Sequence, residues 1–206
     1  MTDIYAVQNE IYAEGFDLLC GVDEAGRGPL AGPVCAAAVI LPRDIIISGL
    51  GDSKAISEKR REVLYDDIIS AAISYGIAFA SVAEIEEMNI LNATFLAMNR
   101  AIGALNPKPG LALIDGNQSR GIEFPCRTFV KGDANCALIA AASILAKVTR
   151  DRHMRALAEE YPEYGFEKHK GYGTASHYEA IQKYGMTPVH RMSFLKKLRA
   201  GGNGRG

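Results

Sequence analysis

The chain has 206 residues, 48% of them hydrophobic and 23% charged, with a formal net charge of −1. That composition supports a folded domain with a sizeable core and excludes a disordered or fibrous chain. No apolar run reaches the roughly 18–20 residues of a membrane span. The opening "MTDIYAVQNEIYAEGFD" is polar and acidic, unlike a signal or transit peptide, so a cytoplasmic location is expected. Cys20, Cys35, Cys126 and Cys136 form no CxxC or Cys/His pattern and read as reduced thiols rather than zinc ligands. The small net charge hides an asymmetry: residues 147–206 carry a balance of +6 and the first 146 residues one of −7. A basic segment joined to an acidic one suits a phosphate-rich ligand that meets a carboxylate site.

In chain order, "DLLCGVD" predicts a buried strand ending near Asp23, and "VCAAAVILP" a second strand closed by Pro42; their short link suggests a hairpin. Ser57 caps a predicted helix that places Val63, Leu64, Ile68, Ile69, Ala72 and Ile73 on one face and stops at Gly76. "IAFASVA" reads as a third strand, and "AEIEEMNILNATFLAMNRAIGAL" as a helix closed by "NPKPG". "LALIDG" and "CRTFVKGD" are short strands, each ending in a carboxylate. One long helix follows over "ANCALIAAASILAKVTRDRHMRALAEEY", apolar first and basic later, ended by Pro162. Two short helices are expected over about 175–184 and 190–199, and "GGNGRG" reads as a tail. Strands and helices in this order describe a mixed α/β sheet, whose ligand sites lie at strand ends.

Three predicted strands end in acids: Asp23 with Glu24, Asp115, and Asp133. Each could serve a turn or cap, and Asp133 could cap the long helix. Drawn together, however, carboxylates repel and lose hydration. Basic side chains or hard divalent cations such as Mg²⁺ or Mn²⁺ would compensate them, and arrayed carboxylates are the protein half of a two-metal phosphoryl-transfer site. Adjacent strand residues face opposite ways, so Asp23 and Glu24 share a site only where their strand ends, as "AGRG" suggests. In "GRG" the two glycines let the backbone approach a ligand and expose its N–H groups. Arg27 can fork onto a phosphate, and exposed glycine amides and carbonyls can supply the donor and the acceptor that read a ribose 2′-hydroxyl.

The blocks "GVDEAGRGPLAGPVCAAAVIL", "DSKAISEKRRE", "LIDGN", "VKGD…AAASILAKVTRDR" and "KHKGYGT…HYEAIQKYGMTPVHRMSF" together resemble bacterial ribonuclease HII, in that family's order and over most of residues 18–195. The resemblance implies a ribonuclease H-like fold: a five-stranded mixed sheet flanked by helices, with a C-terminal helical segment. It places an N-terminal extension at 1–16, a catalytic core at 17–161, a substrate-binding helical segment at 162–200 and a flexible tail at 201–206. It implies an endonuclease that hydrolyses RNA in RNA–DNA hybrids and nicks DNA duplexes 5′ to embedded ribonucleotides, leaving 3′-hydroxyl and 5′-phosphate ends. Its metal ligands fall on Asp23, Glu24, Asp115 and Asp133, with Mg²⁺ or Mn²⁺ as cofactor in a two-ion site. The sugar-reading loop falls on Gly26, Arg27 and Gly28, a stacking tyrosine on Tyr172, and a basic residue near the scissile phosphate on Lys54.

Lys147, Arg150, Arg152, His169 and Lys170 are expected as grips on the nucleic-acid backbone. Asp151, amid basic residues, is expected in a salt bridge, and the histidines at the surface or facing phosphates. The chain departs from the family pattern at Ala55, where a second lysine is common, and at Asn135, where a basic residue is common; both changes could weaken duplex affinity. A monomer acting on RNA–DNA hybrids and ribonucleotide-containing DNA, away from membranes, is the expectation. A resolvase-like nuclease would lack the "GRG" loop and cut pure DNA. A non-catalytic binding domain would show a broken acid set.

Overall fold

The computed structural model describes residues 3–51, 53 and 56–195. Lys54 and Ala55 lie outside the described residues, as do residues 196–206 with the expected tail. Five strands, β1 (Leu19–Ala25), β2 (Val34–Ile40), β3 (Ser74–Ala80), β4 (Leu111–Asp115) and β5 (Cys126–Phe129), form one sheet in the order β3-β2-β1-β4-β5. The β1–β2 and β2–β3 pairs are antiparallel, and β1–β4 and β4–β5 are parallel. This is the expected five-stranded mixed sheet.

Among the described residues seven α-helices accompany it: α1 (Ala6–Ala13), α2 (Glu58–Ala71), α3 (Val82–Gly103), α4 (Gly132–Asn135), α5 (Ala137–Glu160), α6 (Phe166–His169) and α7 (Ala175–Tyr184). Every residue of β2 is buried, because helices cover both faces of the sheet. On one face Leu19, Ala37, Val39, Leu111 and Leu113 pack with α1, α2 and the apolar half of α5. On the other Cys20, Val22, Ala36, Ala38, Ala112 and Ile114 pack with α3. A third cluster, with Leu30, Met154, Tyr164, Phe166, Ile181 and Leu195, joins the C-terminal segment to the far end of α5.

The α5 contact depends on Gly21. A β-carbon there would stand 2.0 Å from the Leu138 backbone carbon and oxygen, so the strand and helix backbones touch directly.

Several boundaries differ from the sequence reading. Ser57 caps α2 as expected, accepting from the Arg60 N–H at 3.3 Å. The helix nevertheless ends at Ala71, because Ser74, Tyr75 and Gly76 pair with Ile40, Val39 and Ala38; the sheet takes residues that the helical periodicity had claimed. Ser81 and Glu84 form a capping box at the start of α3. Asn89 breaks that helix with φ 70° and ψ 164°, and its Oδ1 restarts it by accepting from the Leu91 and Asn92 N–H groups at 3.0 and 3.2 Å.

The strand expected to run to Asp133 stops at Phe129; Lys131 turns the chain with φ 57° into α4, which contains Asp133. Extended backbone at Cys136, φ −135°, separates α4 from α5, so the single long helix of the sequence reading is two. The helix expected over 190–199 is a short 3₁₀ turn over Met192–Leu195 within the described residues. Helix α1 packs onto the core through Ile11 and Tyr12, and Gln8 Oε1 accepts from the Leu138 N–H at 3.1 Å.

Candidate active site

Val22 of β1 pairs with Ile114 of β4, so Asp23 and Asp115 stand level where β4 ends. Strand β1 runs on to Ala25, paired only with β2 on its other side. Beyond Val22 its free edge is therefore open, and Asp23 and Glu24, though on opposite faces of the strand, border the same space around the end of β4. A cavity of about 450 Å³ lies there, with Asp23, Glu24 and Asp115 in its wall beside Gly26, Arg27 and Gly28. The opposite faces leave a trace: Glu24 and Asp115 also border a smaller recess against α3.

Asp23 is 5% exposed. Burial raises its pKa well above the usual carboxylate range, and the charges of Glu24 and Asp115 push it the same way. Opposing them, the Ser143 hydroxyl and the Glu24 N–H donate to the carboxylate, the latter at 2.7 Å. Ser143 Oγ lies 2.9 Å from Ser53 Oγ, and since its one proton goes to Asp23, Ser53 donates to it. Burial raises the Glu24 pKa too, against the pull of Arg27, whose Nη1 lies 3.3 Å away. Asp115 accepts from the Gly132 N–H at 2.7 Å. That bond brings α4 to the site, and Asp133, the next residue, is buried at 7% exposure and is not among the residues that line the cavity. The structure thus gathers three of the four expected acids at the cavity, and the fourth follows Asp115's partner Gly132 in the chain.

Among the described residues no three His, Cys, Asp or Glu side chains are already grouped as they would be around a metal ion. The donor set still fits hard divalent cations. All the donors are carboxylate oxygens, they border an open cavity, and burial with mutual repulsion leaves Asp23 short of positive charge.

Tyr172, 46% exposed, flanks the same cavity beside Gly28, where a β-carbon would sit 3.6 Å from its ring. Lys147 reaches the cavity wall and pairs with Asp151 at 2.7 Å, the salt bridge expected for that acid.

Other expected grips are committed elsewhere. Arg150 is 1% exposed and spends its guanidinium on the carbonyls of Pro33, Lys170 and Ala31 at 3.0, 3.0 and 3.2 Å. It is a brace, not a surface contact. Arg152 pairs with Glu62 at 2.5 Å and lies over the Tyr65 ring. The Lys170 ammonium donates to the Glu167 carbonyl. His169 accepts from the Gly171 N–H at Nδ1, 3.2 Å, which leaves Nε2 to donate to the Tyr164 carbonyl at 2.7 Å.

Nor are the histidines surface residues as a set. His177 and His190 are 0% and 1% exposed. Thr187 N–H donates to His190 Nδ1 at 3.0 Å, so His190 Nε2 donates to His177 Nε2 at 3.2 Å and His177 Nδ1 donates to the Tyr172 carbonyl at 2.9 Å. Burial lowers both pKa values, that of His190 to about 4. The neutral pair anchors the loop that presents Tyr172.

Sequence reasoning missed Ser143, Arg61 and Arg191. Arg61 reaches the cavity from α2 and donates to the Ser53 carbonyl at 2.7 Å. Arg191 is fully buried and donates to the carbonyls of Gly26, Arg27 and Gly32 at 2.7, 3.0 and 2.9 Å. Burial, with Arg150 nearby, lowers its pKa to about 9, so it stays charged at neutral pH. Its one sequence signal is a lone arginine in "VHRMSF".

A family model described as Ribonuclease HII matches residues 20–197. The chain is 54% identical over 191 residues to the ribonuclease HII of Acetivibrio thermocellus, covering 93% of this chain and 75% of that one. It is 57% identical over 189 residues to that of a Marinomonas strain, covering 90% and 94%. The fold matches the crystal structure of ribonuclease H2 from Pyrococcus horikoshii with a TM-score of 0.76 at 27% identity, over 91% of this chain and 100% of that one. With its acids gathered where β1 passes the end of β4, the chain belongs to the ribonuclease HII family and is an endoribonuclease acting on RNA–DNA hybrids.

Proposed function

We propose that the enzyme also nicks DNA duplexes 5′ to an embedded ribonucleotide, leaving 3′-hydroxyl and 5′-phosphate ends, with Asp23, Glu24, Asp115 and Asp133 holding two Mg²⁺ or Mn²⁺ ions. One observation carries this reading: three acids and the Gly26-Arg27-Gly28 backbone share one cavity wall with Tyr172. When bound, such ions supply an activated water and neutralise the leaving oxygen.

The chain's own groups do the rest. The N–H groups of Arg27 and Gly28 face the sugar and donate to its 2′-hydroxyl, a partner that deoxyribose lacks. Tyr172 stacks on the neighbouring sugar. Lys147 and Arg61 offer positive charge to the phosphates that flank the cut. Lys54 belongs to this reading as a further contact near the scissile phosphate. The enzyme works in the cytoplasm as a monomer; among the described residues no helix is long and apolar enough to cross a membrane.

The test is an end-labelled DNA duplex carrying one ribonucleotide, incubated with Mg²⁺ or Mn²⁺ beside an all-DNA control. A single cut 5′ to the ribonucleotide with the control intact is expected. Cutting of both duplexes would discard the sugar check, and cutting of long hybrids alone would discard single-site nicking. In the same assay Tyr172→Ala should slow single-site nicking about 10- to 100-fold, the worth of one lost stacking contact. Unchanged nicking would remove Tyr172 from the role.

A further inference from the structure

The Gly26-Arg27-Gly28 loop has no regular hydrogen-bond ladder of its own, because β1 ends at Ala25. Its shape needs glycine at position 26, where φ is +98° and a β-carbon would stand 1.9 Å from the Arg150 Nε. Something else has to hold its peptide planes. That group comes from the other end of the chain: Arg191 Nη2 and Nη1 take the Gly26 and Arg27 carbonyls, and Nε takes the Gly32 carbonyl.

A trans peptide is planar, with its C=O and N–H pointing to opposite sides. The Gly26 carbonyl shares a plane with the Arg27 N–H, and the Arg27 carbonyl shares one with the Gly28 N–H. Arg191 is 0% exposed, so it grips both carbonyls from the buried side. The two N–H groups are thereby turned towards the cavity that Arg27 and Gly28 line. Neither has a protein acceptor among the described residues.

We infer that Arg191 is the positioning residue of the ribose check: its guanidinium fork sets two consecutive peptide planes so that the Arg27 and Gly28 amides converge on one 2′-hydroxyl. The inference rests on the proposed 2′-hydroxyl reading and adds to it the group that makes it selective. A flexible loop would present the same amides over a range of angles and lose discrimination more than affinity. Lysine cannot replace the fork, since an ammonium is a point donor and the three carbonyls lie in separate directions.

Arg191→Lys and Arg191→Gln test this. Affinity for a duplex with one ribonucleotide and for the all-DNA duplex of the same sequence is measured in EDTA, with thermal melting of each variant alongside and single-site kcat and KM measured separately with Mg²⁺. The expected result is a folded variant whose all-DNA affinity stays within about twofold of the parent while the ribonucleotide preference falls about tenfold or more, in Lys as in Gln. A preserved preference in a folded variant overturns the inference alone. A parent enzyme with no preference overturns the 2′-hydroxyl reading first and the inference with it. Failure of both variants to fold overturns it too, by making Arg191 an element of the fold.

Discussion

Asp23→Asn is expected to lower turnover at least ~1,000-fold on every substrate while raising thermal stability in the metal-free enzyme. The loss follows from removing a carboxylate from the centre of the acid group, where charge stabilisation is worth several kcal/mol. The gain has the opposite origin. Burial, Glu24 and Asp115 all raise the Asp23 pKa above its ordinary 3.8, so folding favours the protonated carboxyl. That contribution is complete below the unfolded value, and it is lost as pH rises through the folded pKa. The metal-free parent should therefore lose melting temperature as pH is raised from about 4, and the Asn variant should show a flatter curve. Asn keeps an acceptor for the Glu24 N–H and adds no charge. Melting curves between pH 4 and 8, in EDTA, measure both; a variant that melts below the parent at pH 7, or cuts at the parental rate, contradicts the assignment.

Gly21→Ala is expected to destabilise the protein by about 3 kcal/mol or more, at the upper end of overpacking costs. The new methyl would meet the Leu138 carbonyl carbon and oxygen at 2.0 Å and the Ile139 nitrogen at 2.5 Å. These are backbone atoms, so no rotamer change relieves the clash. Helix α5 cannot tilt away cheaply either, because residues 137–146 are all buried. Where folded protein persists, activity should fall as well, since the same displacement draws Ser143 away from Asp23 and Lys147 from the cavity. Urea denaturation at 25 °C gives the stability term; a cost below about 1 kcal/mol would mean that the sheet and helix part more easily than this packing allows.

Asp23, Glu24 and Asp115 were legible in the sequence because they close short apolar strands, and a strand end is a local signal. Strand type and sheet composition were legible for the same reason. The boundary errors share one cause: local periodicity was overruled by pairing, as when β2 drew Ser74–Gly76 into the sheet. The strand before Asp133 was drawn too long because nothing local marks the left-handed turn at Lys131. The basic residues were the least legible. Arg150 and His177 read in sequence as phosphate-facing and Arg191 drew no assignment, yet all three are buried, the two arginines on backbone carbonyls and His177 on the Tyr172 carbonyl and His190. A guanidinium bound for solvent and one bound for three carbonyls have the same neighbours in the chain; only tertiary closure separates them.

The continuous middle of α5 also serves as a ruler. Ser143, which donates to Asp23, and Arg150, which braces the loop above Gly26 and the carbonyl of Lys170 before Tyr172, lie seven residues apart on one continuous helix. At 1.5 Å per residue they are about 10 Å apart along its axis. The separation between the acid that Ser143 supports and the loops that Arg150 braces is therefore set by helical rise. Loops can vary in length around such a site, but the spacing of its acids from the loops that Arg150 holds is kept by a rod.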